Sequence, residues 1–278
     1  MIRVVAVRDA DRKRTKVEIG IWSGVITLFV VASFLFGPTE AATDVVGRPL
    51  EAPSTAHWFG LDAFGMDVFT RVIAAARLDI GVALAAGLVV FVTAYPVALA
   101  TGYWNTWWTK LILRLLDVIQ SFPAIVLALT VVALTGNGVG NLIMASAFVF
   151  APVFARTVRS VVLSVSRQQF VEASIASGTT PVTALIRHVV PHTLGAAMAQ
   201  TTIAVSRTII LVAGLAFIGV GVQPPTAEWG SMLQTGVAST LNGSWWVSIY
   251  PGLAIVMTVL IFDRVGSLLA SLYMGARR

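Results

Sequence analysis

The sequence predicts an all-α membrane protein of six transmembrane helices, and three observations carry that prediction. Of the 278 residues, 57% are hydrophobic, where a soluble globular domain has roughly 45–50%. Only 12% are charged, about half the usual share of roughly 25%. The mean hydropathy of +0.85 is spread along the whole chain, in stretches close to the ~20 residues that cross a bilayer, rather than concentrated in one anchor. The absence of cysteine excludes a disulfide framework, thiolate metal sites and cysteine nucleophiles. A net charge of +6 comes from basic residues scattered along the chain; a nucleic-acid surface would gather them on one face, so membrane lipid and not nucleic acid is the expected environment.

Each element can be justified in order. Residues 1–18 form a polar arm carrying Arg3, Arg8, Arg12, Lys13, Arg14 and Lys16, and an apolar run follows at once over 19–36. The run is long and further spans follow it, which predicts an uncleaved first helix rather than a signal peptide. Residues 37–79 are turn-rich, with Pro38, Pro49 and Pro53, and mix Asp62, Asp67 and Asp79 with Arg48, Arg71 and Arg77, as expected of a segment outside the membrane. Apolar segments recur at 80–102, 111–134, 142–163, 193–220 and 245–269, bringing the total to six. No fixed-period repeat is present, so residues 19–278 read as a single transmembrane domain after the arm.

Orientation follows from the basic residues, which are retained on the cytoplasmic side near helix ends. With both termini inside, fifteen Lys and Arg fall in the cytoplasm, three (Arg48, Arg71 and Arg77) fall outside, and Arg207 lies within the fifth span. Trp104, Trp107, Trp108, Trp245 and Trp246 flank spans, where amphipathic rings favour the interface. This arrangement makes 37–79 and 221–244 external segments and 164–191 a cytoplasmic loop.

That loop spells two short helices. The first, 168–177, stops at Gly178, a residue suited to the left-handed conformation that closes a helix. The second has Thr180 as N-cap and Pro181 at its first position, and is expected to end before Pro191. Its Val182, Leu185, Ile186 and Val189 share one face at helical spacing. Periodicity leaves two readings open: an amphipathic loop lying on the membrane, or a helix offering that face to a groove on a soluble partner.

The residues here are similar to a known pattern. Glu172-Ala173-Ser174, Gly178 and Val190-Pro191 resemble the Glu-Ala-Ala, Gly and Leu-Pro loop of permease subunits of bacterial ABC importers, and Arg187-His188-Val189-Val190-Pro191 resembles the Arg-His-Ile-Leu-Pro of the same loop. The run from Gly214 to Met232, which includes Gln223-Pro224-Pro225-Thr226-Ala227-Glu228-Trp229-Gly230, looks like the C-type permease of dipeptide and oligopeptide importers. Phe59-Gly60-Leu61-Asp62, Gly65-Met66-Asp67-Val68-Phe69-Thr70-Arg71, and Trp245-Trp246 with Pro251-Gly252-Leu253-Ala254-Ile255 extend the resemblance over almost everything after about residue 57. Departures are Ser174 for Ala, Val190 for Leu, Met66 for Arg, and Asp263-Arg264 and Ser267 in the sixth span.

The resemblance implies the fold of a type I ABC importer permease, with a cytoplasmic coupling helix between spans four and five, in the bacterial inner membrane. It implies as partners a second homologous permease forming a heterodimer, two ABC ATPase domains and an extracytoplasmic substrate-binding protein. The chain has no Gly-Lys-Ser/Thr phosphate loop, so it carries no cofactor itself, and ATP and Mg are assigned to the partner ATPase subunits. Glu172, Ala173, Gly178, Thr180, Pro181, Arg187, His188 and Pro191 become the expected coupling residues. Asp62, Asp67, Arg71, Gln223, Pro224, Glu228 and Trp229 are expected to face the binding protein or form an external gate, with Trp229 suited to the interface; a plain structural loop is the alternative. The cargo implied is a small peptide, with nickel or another small solute as the alternative.

An intramembrane enzyme is the rival class. It requires a nucleophile and base within hydrogen-bond reach at membrane depth, and His57, His188 and His192 all fall near the membrane faces. The family pattern does not explain Arg207, which lies mid-span, where an unpaired charge costs at least ~2.5–3.5 kcal/mol. It is expected to pair with a carboxylate, Asp117 being the intrachain candidate near that depth, or to face the translocation pathway.

Overall fold

The computed structural model describes residues 2–36 and 41–274, with side chains described over 14–35 and 41–273. The side chains of Arg3, Arg8, Arg12 and Lys13, and residues Pro38, Arg277 and Arg278, lie outside the described residues. The first helix, α1, is Ile2–Phe36, so the backbone of the expected arm continues the first span as helix from Ile2 on. Helix α2, Val68–Tyr103, begins about twelve residues earlier than its apolar run suggested. Asp67 caps it by accepting the Thr70 N–H at 2.8 Å, and Arg71 and Asp79 do not interrupt it because both find polar partners while buried. Its 36 residues rise about 54 Å, well beyond a ~30 Å hydrocarbon layer.

The third apolar run is not one straight helix. Helix α3, Trp107–Gln120, and α4, Ala124–Thr135, meet at 94° across Ser121, Phe122 and Pro123. Proline has no N–H to give the preceding turn, and its ring clashes with a continuing one. Helix α5 is Val139–Ser166 and α6 is Gln169–Ala176. Contrary to the expected stop before Pro191, the chain runs without interruption through α7, Pro181–Ala184, a π turn at Leu185–Val189 and α8, Val190–Phe217. Pro191 cannot donate to the carbonyl four residues back, and the wider π turn absorbs the missing bond. Segment 221–244 holds a helix the sequence did not announce, α9, Trp229–Leu241, before α10, Trp246–Met274.

Among the described residues, five helices are long and apolar enough to cross a membrane, and six spans result when α3 and α4 count as one bent span. Helix α2 occupies the centre, packed against α5 on one side and α8 on the other, while α10 covers α8 and α9. Ala75, Ala76, Ala83, Ala86 and Ala98 along α2 are fully buried, and such small residues let helix backbones approach closely in an apolar medium. Helix α1 rests on α2 and α10, and the Arg264 guanidinium donates to Glu18 at 2.8 Å, joining α10 to α1.

The core has distinct centres. One gathers Val68, Val72, Ile80, Trp229 and Trp246 at the end of the bundle that carries residues 41–67 and α9, called here the capped end. A second gathers Val90, Phe154, Val158, Val171 and Val189 toward the opposite end, which carries α6 and α7, the loop end. A third, around Val132, Leu142, Val149 and Leu215, joins α4 to α5 and α8.

Candidate functional site

At the loop end, α6 closes on Gly178 with φ +91°, the left-handed region open to glycine at little cost. Thr180 caps α7 by accepting the Thr183 N–H at 3.3 Å, with Pro181 following it. The two short helices are tied together by His188 Nε2 and Ser174 Oγ at 3.1 Å, so Ser174, a departure from the family pattern, acts as a clasp. His192 Nδ1 donates to the His188 carbonyl at 2.6 Å, and the Phe170 ring lies against the His192 ring at 5.1 Å. Glu172, Ala173, Gly178, Thr180, Pro181, Arg187 and Pro191 are exposed, and His188 is half-buried.

The expected apolar face of the loop divides. Leu185 and Val189 are buried against the spans, whereas Val182 is 54% and Ile186 62% exposed. The spans anchor this knob through α8: Tyr95 Oη donates to the Val190 carbonyl at 3.2 Å and lies 2.9 Å from Thr193 Oγ1. The result is a rigid knob whose outward side presents Gly178, two unpartnered aliphatic side chains, and the charges of Glu172 and Arg187.

At the capped end the expected charged residues turn inward. Arg71 is 3% exposed, pairs with Asp62 at 3.3 Å, and donates to the carbonyls of Ala42 at 2.8 Å and Pro225 at 3.1 Å. It thereby staples three segments together. Met66, where the family pattern has Arg, brings its sulfur to 2.8 Å from the same guanidinium. Asp62 accepts the Phe64 and Met66 N–H groups at 2.8 and 3.0 Å, and Asp67 accepts from His57 Nδ1 at 2.9 Å in addition to capping α2.

Glu228 is 1% exposed and caps α9 with both oxygens, accepting from Gly230 N–H at 2.9 Å and Ser231 N–H at 2.6 Å. Burial pushes the Glu228 carboxyl above the ordinary glutamate value, against the pull of those two donors. Trp229, expected at the interface, is instead 1% exposed. It can be buried because its indole N–H donates to the Val72 carbonyl at 2.9 Å and its backbone N–H to Asp79 Oδ2 at 3.0 Å. A Cβ at Gly230 would run into the Ala213 backbone, so α9 lies against α8 as closely as glycine permits. Asp79 was not singled out in the sequence as a site residue; its signal was an acid amid an apolar run. Of the residues expected at the outer surface, Gln223 and Pro224 are exposed and Asp67 is half-buried.

Within the spans, Asp117 forms an ion pair with Arg156 and none with Arg207, so the intrachain pair suggested for Arg207 does not form. Asp263 accepts from Ser206 Oγ at 2.5 Å, joining α10 to α8. Among the described residues, no three of His, Cys, Asp and Glu converge on a point that could hold a metal ion.

Residues 94–273 match the family described as binding-protein-dependent transport system inner membrane component. Over 251 residues, 87% of this chain and 80% of the relative, the sequence is 39% identical to the glutathione transport system permease protein GsiD of Escherichia coli O6:K15:H31 (strain 536 / UPEC). The GsiD protein of Shigella boydii serotype 4 (strain Sb227) matches at the same 39% identity over the same shares. In fold, the chain is similar to one from the MetNI methionine ABC transporter solved in inward-facing conformations, with a TM-score of 0.62, 18% identity, and coverage of 75% of this chain and 97% of that one.

Proposed function

Because the chain belongs to the family of binding-protein-dependent transport system inner membrane components, we propose that this ABC importer permease moves small peptides inward and takes the stroke of its ATPases through the Gly178 loop. It is a multi-pass transport subunit of the inner membrane and not an enzyme; ATP is hydrolysed on separate subunits. The proposal assigns ATP and Mg to two ATPase domains. It adds a second, homologous permease to complete a heterodimer, and places the loop end and both termini in the cytoplasm, with the capped end facing an extracytoplasmic binding protein.

The observation that carries the coupling reading is the knob itself. Val182 and Ile186 stand 54% and 62% exposed on a soluble loop, where apolar side chains gain by entering a groove on a partner. Glu172 and Arg187 flank them as rim charges, and the Ser174 to His188 bond keeps the two helices moving as one body. Replacing Val182 and Ile186 together by Asp should leave the permease inserted but stop its ATPase from co-purifying. Retained co-purification with normal uptake would overturn the assignment.

The peptide reading is supported by the similarity to permeases named for glutathione transport, glutathione being a small peptide. It predicts accumulation of labelled di- and tripeptides by cells carrying the assembled transporter; uptake of a nickel chelate without peptides would refute it. At the capped end, Gln223 and Pro224 with the rim at Asp67 are assigned to binding-protein contact. Buried Asp62, Arg71, Glu228 and Trp229 hold that surface rigid. A photocrosslinker at Gln223 should capture the loaded binding protein, and repeated failure in the assembled complex would return this segment to a plain structural loop.

A further inference from the structure

We infer that Arg207 is a specificity-determining cation of the translocation pathway, receiving the carboxylate of a peptide or similarly anionic cargo at the membrane midplane. The inference rests on the importer reading above and deepens it by naming a cargo chemistry.

Depth comes first. Arg207 lies ten residues before the end of α8 at Phe217, about 15 Å at 1.5 Å per residue, which is half of a ~30 Å hydrocarbon layer. Its neighbours Ser206 and Thr208 are buried in the bundle, whereas Arg207 is exposed on the opposite face.

The bent span shows what that face meets. Arg207 lines a cavity of about 240 Å³ with Ile119, Gln120 and Phe122 at the break, Leu127 of α4, and Phe150 and Val153 of α5. Ser121, Phe122 and Pro123 at the break are exposed. Two helix ends meeting there leave peptide groups without intrahelical partners, and at membrane depth such groups are stable only against protein or a water-filled cavity. The face that carries Arg207 is therefore not turned to lipid.

Among the described residues no counter-charge meets it. The carboxylates on the neighbouring spans are engaged, Asp117 by Arg156 and Asp263 by Ser206, while Asp62, Asp79 and Glu228 are held in the capped end. Among the described residues Arg207 forms no ion pair. A guanidinium keeps its charge at any working pH and offers paired N–H donors in the geometry of a carboxylate. A cavity with such a fork and no resident anion favours passage of solutes that bring one.

Two measurements on the assembled, reconstituted transporter test this. The first compares uptake of a dipeptide and of its C-terminal amide. Arg207→Gln should cut uptake of the free acid at least tenfold and change the amide less than twofold. An equal fall for both, with loss of the two permeases' association, would assign Arg207 to a carboxylate of the partner permease and overturn the inference. The second does not depend on identifying the cargo. The chain has no cysteine, so Ile210→Cys, one turn along and 55% exposed, introduces a single thiol. A sulfonate-bearing thiol reagent should label it several-fold faster, relative to an ammonium-bearing one, with Arg207 present than with Arg207→Gln. If the transporter moves no peptide yet shows this ratio, the peptide reading fails and the anion site stands. A thiol that does not react, or a ratio that ignores Arg207, overturns the site.

Discussion

At Gly178, a single backbone angle of +91° separates two ways of perturbing the loop. A Cβ there would meet no atom of this chain within 4 Å, so a substitution acts through strain and through whatever docks on the knob. Valine in this conformation costs about 1–2 kcal/mol. Gly178→Val is expected to lower uptake at least tenfold while the inserted amount, read by immunoblot of membranes, stays within twofold. Normal uptake with normal ATPase stimulation would remove Gly178 from the coupling path. Glu228 yields a pH prediction. Because burial raises its pKa, the folded protein holds this proton to higher pH than the unfolded chain. The associated stabilisation is thus full below the ordinary glutamate value and lost as pH rises through the raised one. Glu228→Gln removes the titration and keeps one capping oxygen, so the melting-temperature gap between wild type and variant should shift toward the variant from about pH 4 to pH 8. A constant gap would show that Glu228 has the same pKa in the folded protein as in the unfolded chain.

Among the elements, the unbroken run of α7, the π turn and α8 links the knob mechanically to a span. Pro191 sits where a regular α turn would need its N–H. Pro191→Ala supplies that donor and permits the turn to tighten, rotating Val182 and Ile186 relative to α8. The expected outcome is a stability change within about 1 kcal/mol, measured by thermal melting, together with a several-fold fall in cargo-stimulated ATPase activity; unchanged stimulation would show that the π turn does not set the register of the knob. The loop's caps were legible from residue type, since Thr180, Pro181 and Gly178 each satisfy a local rule that acts over four residues. The continuity across Pro191 was not, because it depends on Tyr95 of α2 reaching the Val190 carbonyl. Helix α9 escaped for a similar reason: its cap, Glu228, is stabilised in a buried pocket shared with α2, and its apolar pattern alone is short and mixed.

For the whole molecule, the orientation proposed for the bundle places α6 and α7 at the cytoplasmic face and α9 outside. Reporter fusions after Gly138 and Gly243 should therefore report the periplasmic side, and a fusion after Ser177 the cytoplasmic one. A cytoplasmic signal at either of the first two would refute the orientation. The exposed side of α8 and the bent α3–α4 span together present a face left uncovered by the described residues, which fits a permease completed by a second one.

Apolar length and local capping pointed, from the sequence by itself, to the membrane class, the six spans and the loop's two short helices, because each depends on residues within one turn or one bilayer thickness of each other; the family resemblance came from the motifs around Gly178 and from Gly214 to Met232. Which charges face outward was decided only by tertiary structure. Asp62, Arg71 and Glu228 read as a surface set in the sequence, yet all three are buried, Arg71 and Glu228 because partners distant in sequence meet them, Pro225 for Arg71 and Asp79 beside Trp229 for the Glu228 cap, and Asp62 because Arg71 pairs with it. The same holds within the spans, where Asp117 is drawn to Arg156 and Arg207 forms no ion pair among the described residues. Desolvating a charge is costly unless its hydrogen bonds are replaced, and only the folded arrangement of α2, α5, α8 and the capped end determines which charges obtain those replacements.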